Sequence, residues 1–210
     1  YVALLRVDRI VKTFGGVVAL DNCSFALDQK EIVGLIGPNG SGKTTLFNLI
    51  TGIYKPDKGR IYFGDRSITG RKVHEICRMG VGRTFQTLKV FPKMTVLENM
   101  LVAGLERHKG QLERAKAIKL LDLVRLTTLK DEFAGNLSYG QQKLLEFAAA
   151  LMPDPTLLLL DEPASGLNPV IMNTMREHIR ETNAQGKTFL IIEHNIPFVM
   201  GLCDRVVVLD

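Results

Sequence analysis

Gly37-Pro38-Asn39-Gly40-Ser41-Gly42-Lys43-Thr44-Thr45 stands between an apolar run, Glu31-Ile32-Val33-Gly34-Leu35-Ile36, and a segment, Leu46-Phe47-Asn48-Leu49-Ile50, that continues as a helix. The run before it has the length and composition of a buried strand. Strand, glycine loop and helix, in that order, is the setting in which G-x-x-x-x-G-K-[ST] binds phosphate. Glycines let the backbone curl until successive N–H groups converge, and the helix N-terminus adds partial positive charge. Lys43 can then reach the β- and γ-phosphates of a nucleotide, and the Thr44 hydroxyl can ligate Mg²⁺, while Asn39, Gly40, Ser41, Gly42 and Thr45 complete the binding loop. A glycine turn with a surface lysine is the plain alternative, and the flanking strand and helix argue against it.

The chain of 210 residues suffices for one large core, or for a core domain with a smaller subdomain. Apolar residues at 46% and charged residues at 23% are ordinary for a globular protein, and the net charge of +5 points to no particular partner. Cys23, Cys77 and Cys203 are odd in number, far apart and without C-x-x-C spacing, so reduced thiols in a cytosolic protein are expected, without metal or redox roles. No apolar run approaches the roughly 20 residues that span a bilayer, and no signal peptide is recognised. If the protein serves a membrane, another chain is expected to do the spanning.

In chain order, residues 1–7 read as a strand, and residues 11–21 hold a turn, Phe14-Gly15-Gly16-Val17-Val18, that presents an aromatic ring. Strands are predicted over 22–27, 31–36, 60–63 and 81–85, with helices over 43–51 and 72–79 and a turn at Pro56-Asp57-Lys58-Gly59. Residues 95–105, 111–126 and 138–152 read as three helices with no strand between them, which suggests a helical subdomain inserted into an α/β core. The core resumes as strand 157–161, helix 170–183, strand 188–192, helix 196–202 and strand 205–209. Such alternation implies a largely parallel sheet with right-handed crossovers. The final residues still read as strand, so Asp210 is expected to be a truncation or the edge of order.

Leu157-Leu158-Leu159-Leu160-Asp161-Glu162 is an apolar run ending in two carboxylates. A parallel strand buried on both faces needs such a run, and ligands bind at its carboxyl end. Beside the phosphate loop, Asp161 is expected to hold Mg²⁺ and Glu162 to act as general base on the attacking water. By itself, a strand ending in Asp-Glu reads equally well as a solvated loop.

Together with these pieces, Leu137-Ser138-Tyr139-Gly140-Gln141-Gln142 resembles the signature motif of ABC transporter nucleotide-binding subunits, usually L-S-G-G-Q, and nearly the whole chain resembles that family. Read locally, Ser138 is only a helix N-cap. The resemblance implies an α/β fold: a P-loop NTPase core of ABC ATPase type, with an N-terminal antiparallel β part within residues 1–86 and 153–210, and an inserted helical subdomain over 87–152. It implies ATP and Mg²⁺ as cofactors, and a second ABC ATPase subunit whose Ser138, Gly140 and Gln141 equivalents complete each site. Gln86 resembles the glutamine that touches Mg²⁺ and water. Ser165-Gly166-Leu167-Asn168 matches the D-loop, with Asn168 where many members have Asp, and His194 matches the switch histidine at the γ-phosphate. Glu193 beside it is expected to have no catalytic role. Phe14 matches the aromatic that stacks on adenine, with Val18 beneath the ring or ribose, against the alternative of a core phenylalanine. Tyr139, in place of the first signature glycine, must point away from phosphate.

Leu88, Val90, Phe91 and Met94, in the loop after Gln86, are expected to dock a transmembrane permease subunit, with packing beneath the helical insert as the alternative. Arg83-Thr84-Phe85-Gln86, the Tyr139-containing signature and Glu162-Pro163-Ala164-Ser165-Gly166-Leu167-Asn168-Pro169 resemble the ATPases of high-affinity branched-chain amino acid importers, and partly those for urea and short amides. The expected place is cytoplasmic, on the inner face of the membrane through the permease. A soluble ABC ATPase acting on nucleic acid would be expected to carry a coiled coil, a second cassette or a basic linker, none of which is present, so no nucleic acid partner is expected. A switch without turnover would need neither Glu162 nor His194.

Overall fold

The computed structural model describes residues 3–84, 89–104 and 111–210. Strands β1 (Leu5–Phe14) and β2 (Val17–Leu27) form an antiparallel hairpin around Gly15-Gly16, whose φ of +51° and +89° are the left-handed pair that a two-residue hairpin turn requires. The hairpin is longer than residues 1–7 and 22–27 suggest. After β3 (Ile32–Ile36) and helix α1 (Lys43–Ile50), β4 (Lys58–Phe63) pairs with β1 and with the two-residue β5 (Arg66–Ser67), giving the order β2-β1-β4-β5. Helix α2 (Val73–Arg78) leads to β6 (Val81–Arg83).

Three helices follow, α3 (Val96–Gly104), α4 (Gln111–Leu123) and α5 (Tyr139–Leu151), packed on one another and joined before α5 by two 3₁₀ turns, Thr127–Leu129 and Ala134–Asn136. The chain then alternates β7 (Leu157–Asp161), α6 (Pro169–Ala184), β8 (Thr188–Ile192), α7 (Ile196–Met200) and β9 (Arg205–Val208). These strands join β3 and β6 in a five-stranded parallel sheet of order β6-β7-β8-β3-β9.

Alternation along the parallel strands builds two cores. Leu157, Leu159, Val33, Leu35, Leu190 and Ile192 face a cluster with Leu46, Phe47 and Ile50 of α1 and Leu5, Val7 and Ile61 of the antiparallel sheet. Leu158, Leu160, Ile32, Phe189 and Ile191 face the other, with residues of α3–α5, α6 and α7. Strands buried on both faces lose nothing by being apolar at every position, which is why β7 and β8 are continuous hydrophobic runs. Truncating one of these, Leu158→Ala for instance, costs about 2–5 kcal/mol by transfer and cavity formation.

Candidate active site at the ends of three adjacent strands

β7, β8 and β3 are neighbours, and all three release their chains at the same carboxyl edge. The phosphate loop follows β3, Asp161 ends β7 with Glu162 next, and His194 lies two residues beyond β8. Sheet order thus brings together groups that are far apart in sequence.

The loop closes tightly on α1. Gly42 caps the helix with φ +89°, and a Cβ there would lie 2.3 Å from the Ala19 carbonyl oxygen and 2.7 Å from Leu20 Cδ2. The Lys43 ammonium is buried and donates to the carbonyls of Gly37 (2.9 Å) and Pro38 (2.7 Å) and to Ser41 Oγ (3.4 Å). Burial lowers its pKa, while Glu162 and Asp161 oppose that shift. Thr44 and Asn39 are exposed, and Thr45 is half-buried. Asn39, Gly40, Gly42, Lys43, Thr44 and Thr45 line a cleft of 230 Å³ with Glu162 and His194.

Glu162 adopts φ +50°, a conformation that costs a non-glycine residue about 1–3 kcal/mol and is retained where a site demands it. Its amide donates to Ile192 O (2.9 Å), and Oε1 lies 3.2 Å from His194 Nε2. Asp161 is only 2% exposed. Burial raises its pKa, and Arg83 opposes this with a 3.1 Å Nη2–Oδ2 ion pair. The Arg83 Nη1 also donates to Asn48 Oδ1 of α1 (2.5 Å). Sequence reasoning missed both partners, because nothing local ties residue 83 to residue 161. Glu193 is buried, and its carboxylate accepts from three backbone amides.

Ser138 caps α5 in a reciprocal box: Gln141 N–H donates to Ser138 Oγ (3.3 Å), and Ser138 N–H donates to Gln141 Oε1 (2.9 Å). The hydroxyl, acting as acceptor, keeps its own proton to donate. Neither Ser138, Gly140 nor Gln141 lines the cleft that holds Lys43 and Glu162. The Tyr139 ring packs at the D-loop, where a Cβ on Gly166 would meet Cε1 at 3.0 Å. Asn168 caps α6, accepting from Ile171 N–H at 3.0 Å, a task that its amide oxygen performs as a carboxylate would. Val18 lines a cleft with Asn39, Gly40 and Ser41. Phe14 is exposed rather than core, edge-on to Tyr54 at 5.2 Å with the Lys12 ammonium over its ring. Gln86 and Leu88 lie outside the described residues. Val90 packs against the helical core, Met94 is half-buried and Phe91 is exposed.

The donor set fits Mg²⁺ held beside a nucleotide. Such an ion takes one or two carboxylates with phosphate oxygens, hydroxyls and water rather than an all-protein cage. Asp161 and the exposed Thr44 suit that role, and among the described residues no cluster of three His, Cys, Asp or Glu forms a separate metal site.

The ABC transporter family profile matches residues 20–165. The chain belongs to this family. It is 42% identical to the high-affinity branched-chain amino acid transport ATP-binding protein LivG of Escherichia coli K12, over 99% of this chain and 88% of that protein. Identity to the corresponding protein BraF of Pseudomonas aeruginosa is 38%, over 99% and 88% of the two chains. Among solved structures, the ADP conformation of an ATP-binding cassette of an ABC transporter superposes with a TM-score of 0.93 at 39% identity, covering 99% of this chain and 87% of that one. A dimeric post-hydrolysis cassette bound to ADP and Pi gives 0.88 at 25% identity, covering 98% and 94%. The architecture of antiparallel sheet, parallel sheet and helices is thus that of an ABC ATPase cassette.

Proposed function

We propose that the chain is the ATP-binding and ATP-hydrolysing motor subunit of an ABC importer, and that the cargo is a branched-chain amino acid. The observation that carries the motor reading is the shared cleft of Lys43, Thr44, Glu162 and His194 at the ends of β3, β7 and β8. The cargo rests on the names of the relatives.

Lys43 and the loop amides hold the triphosphate, with the Lys43 ammonium exchanging its carbonyl partners for phosphate oxygens. Thr44, Asp161 and Gln86 hold Mg²⁺, which supplies positive charge against the phosphates. Glu162 accepts a proton from the attacking water as general base, and His194 orients its carboxylate through the 3.2 Å contact while facing the γ-phosphate. Val18 lies under the nucleoside, and Phe14 stacks on adenine. Because the signature turn sits outside the chain's own cleft, Ser138, Gly140 and Gln141 serve the ATP of a second cassette arranged head-to-tail. ATP then favours the closed pair, and hydrolysis removes that preference.

Residues 87–152 act as the helical subdomain between two parts of the core, 1–86 and 153–210. A 300 Å³ cleft lined by Ile53, Val73, Ile76, Ala149 and Ala150 adjoins the loop after Gln86, and with exposed Phe91 it would seat the permease. Among the described residues no helix is long and apolar enough to cross a membrane. On this reading, attachment to the inner membrane face runs through that partner.

Glu162→Gln should bind ATP at parental strength, hydrolyse it about 10²–10⁴-fold more slowly, and shift from monomer to dimer by light scattering when Mg-ATP is added. Hydrolysis at the parental rate would remove Glu162 from the role of base. In proteoliposomes with the membrane subunits, the same substitution should abolish ATP-driven leucine uptake.

A further inference from the structure

We propose that Glu193 is a positioning residue: its buried carboxylate fastens the turn after β7 to the turn after β8, and so sets the contact between Glu162 and His194. This inference rests on the motor reading above. The parallel ladder ends at the pair Asp161 and Ile192, closed by the Glu162 N–H donating to Ile192 O. Beyond it the two chains part. One turns through left-handed Glu162 toward the D-loop, and the other passes through His194 to the Asn195 cap of α7. Glu193 spans the gap. Oε1 accepts from Ala164 N–H at 2.6 Å, and Oε2 accepts from His194 N–H at 3.1 Å and Asn195 N–H at 3.3 Å.

The residue is 2% exposed, so leaving these donors unmatched would be costly. Burial also raises its pKa, against the three amides that favour the ionised form. Ala164 is two residues from Glu162, and His194 is bonded directly to Glu193. A single carboxylate therefore fixes the main chain on both sides of the 3.2 Å contact between base and histidine. Its hydrogen bonds go to backbone amides and not to the Glu162 carboxylate or the His194 ring, so it acts by placing them.

Glu193→Gln keeps the shape but turns one acceptor oxygen into an NH₂ that confronts an amide donor. In the full-length protein, kcat should fall roughly tenfold to hundredfold, as sub-ångström misplacement of a base does. KM for ATP and the Kd for fluorescent ATP should stay within about twofold. A merely structural role would not predict the next result: in a Glu193→Gln/His194→Ala double variant, kcat should match His194→Ala alone within about twofold, because both substitutions remove one alignment. Losses that multiply would overturn the proposal, as would a parental kcat in Glu193→Gln. If Glu193→Gln does not fold by circular dichroism, Glu193→Asp, which keeps the charge but is one methylene too short to reach both turns, is read in the same cycle. Amide hydrogen exchange separates failure here from failure of the motor reading. Were the parent inactive on ATP, faster exchange at both Ala164 and Asn195 in Glu193→Gln would still uphold the clamp, and unchanged exchange at both would refute it.

Discussion

Arg83 illustrates how much of this site depends on a side chain with no motif of its own. Its side chain is 7% exposed, ion-paired to Asp161, hydrogen-bonded to Asn48 and set 5.5 Å from the Phe47 ring. Removing one member of a buried pair strands the other charge. Arg83→Met should therefore cost about 3–5 kcal/mol in urea denaturation, and Arg83→Met/Asp161→Asn should recover part of that loss. Gly42→Ala should fail differently. The added Cβ meets the Ala19 carbonyl, and φ +89° is strained for alanine, so nucleotide affinity measured by calorimetry should drop tenfold or more. These two residues also mark what could be read in advance. Gly42 and Lys43 announce themselves because loop, strand and helix are contiguous. The Arg83–Asp161 pair joins positions separated by the whole helical insert, and no local pattern encodes it. Tyr139 falls between the two: sterics alone lead to the expectation that it points away from phosphate, whereas its rest against Gly166 needed the fold.

Helix α6 carries a buried polar group of another kind. His178 is 3% exposed, and neither ring nitrogen has a hydrogen-bond partner among the described residues. Burial lowers its pKa from 6.5, with Glu181 and Glu177 opposing and Arg125 reinforcing the shift. The unfolded chain then takes up a proton before the folded one does, so stability is full above the unfolded value and declines as the solution is acidified below it. His178→Leu should flatten that decline as the pH is lowered below about 6.5 in thermal melts, and an unchanged profile would assign the acid sensitivity elsewhere. β7 and β8 were legible to the residue, since each is an unbroken buried run bounded by polar ends. The hairpin was read short because Asn22, at φ +52°, interrupts β2 with an irregular register that breaks apolar alternation. The end of α4 was misplaced for a similar reason. Arg125 takes the left-handed cap at φ +58°, and Leu126 N–H donates back to Leu121 O, a termination normally signalled by glycine. Two-residue β5 is too short to leave any periodic trace.

On the proposed reading, in which Ser138, Gly140 and Gln141 serve the ATP of a second cassette, the pair of cassettes is the unit of activity. Lys43→Ala and Ser138→Arg should each be inactive alone. Mixed, they should regain about a quarter of parental ATPase activity, because half the dimers are hybrid and one of their two sites is intact. No recovery on mixing, with each variant folded, would mean that the second cassette is a different chain. The sheet order holds a further consequence, for synthesis. β3 carries the phosphate loop, yet its neighbours β8 and β9 lie on the order of 150 residues downstream, a pairing of high contact order. At ribosomal rates of roughly 5–20 residues per second, Ile32-Val33-Gly34-Leu35-Ile36 leaves the exit tunnel many seconds before either neighbour exists. An apolar strand with both edges open is what holding chaperones capture, so the nascent chain should require such protection until its last strands emerge.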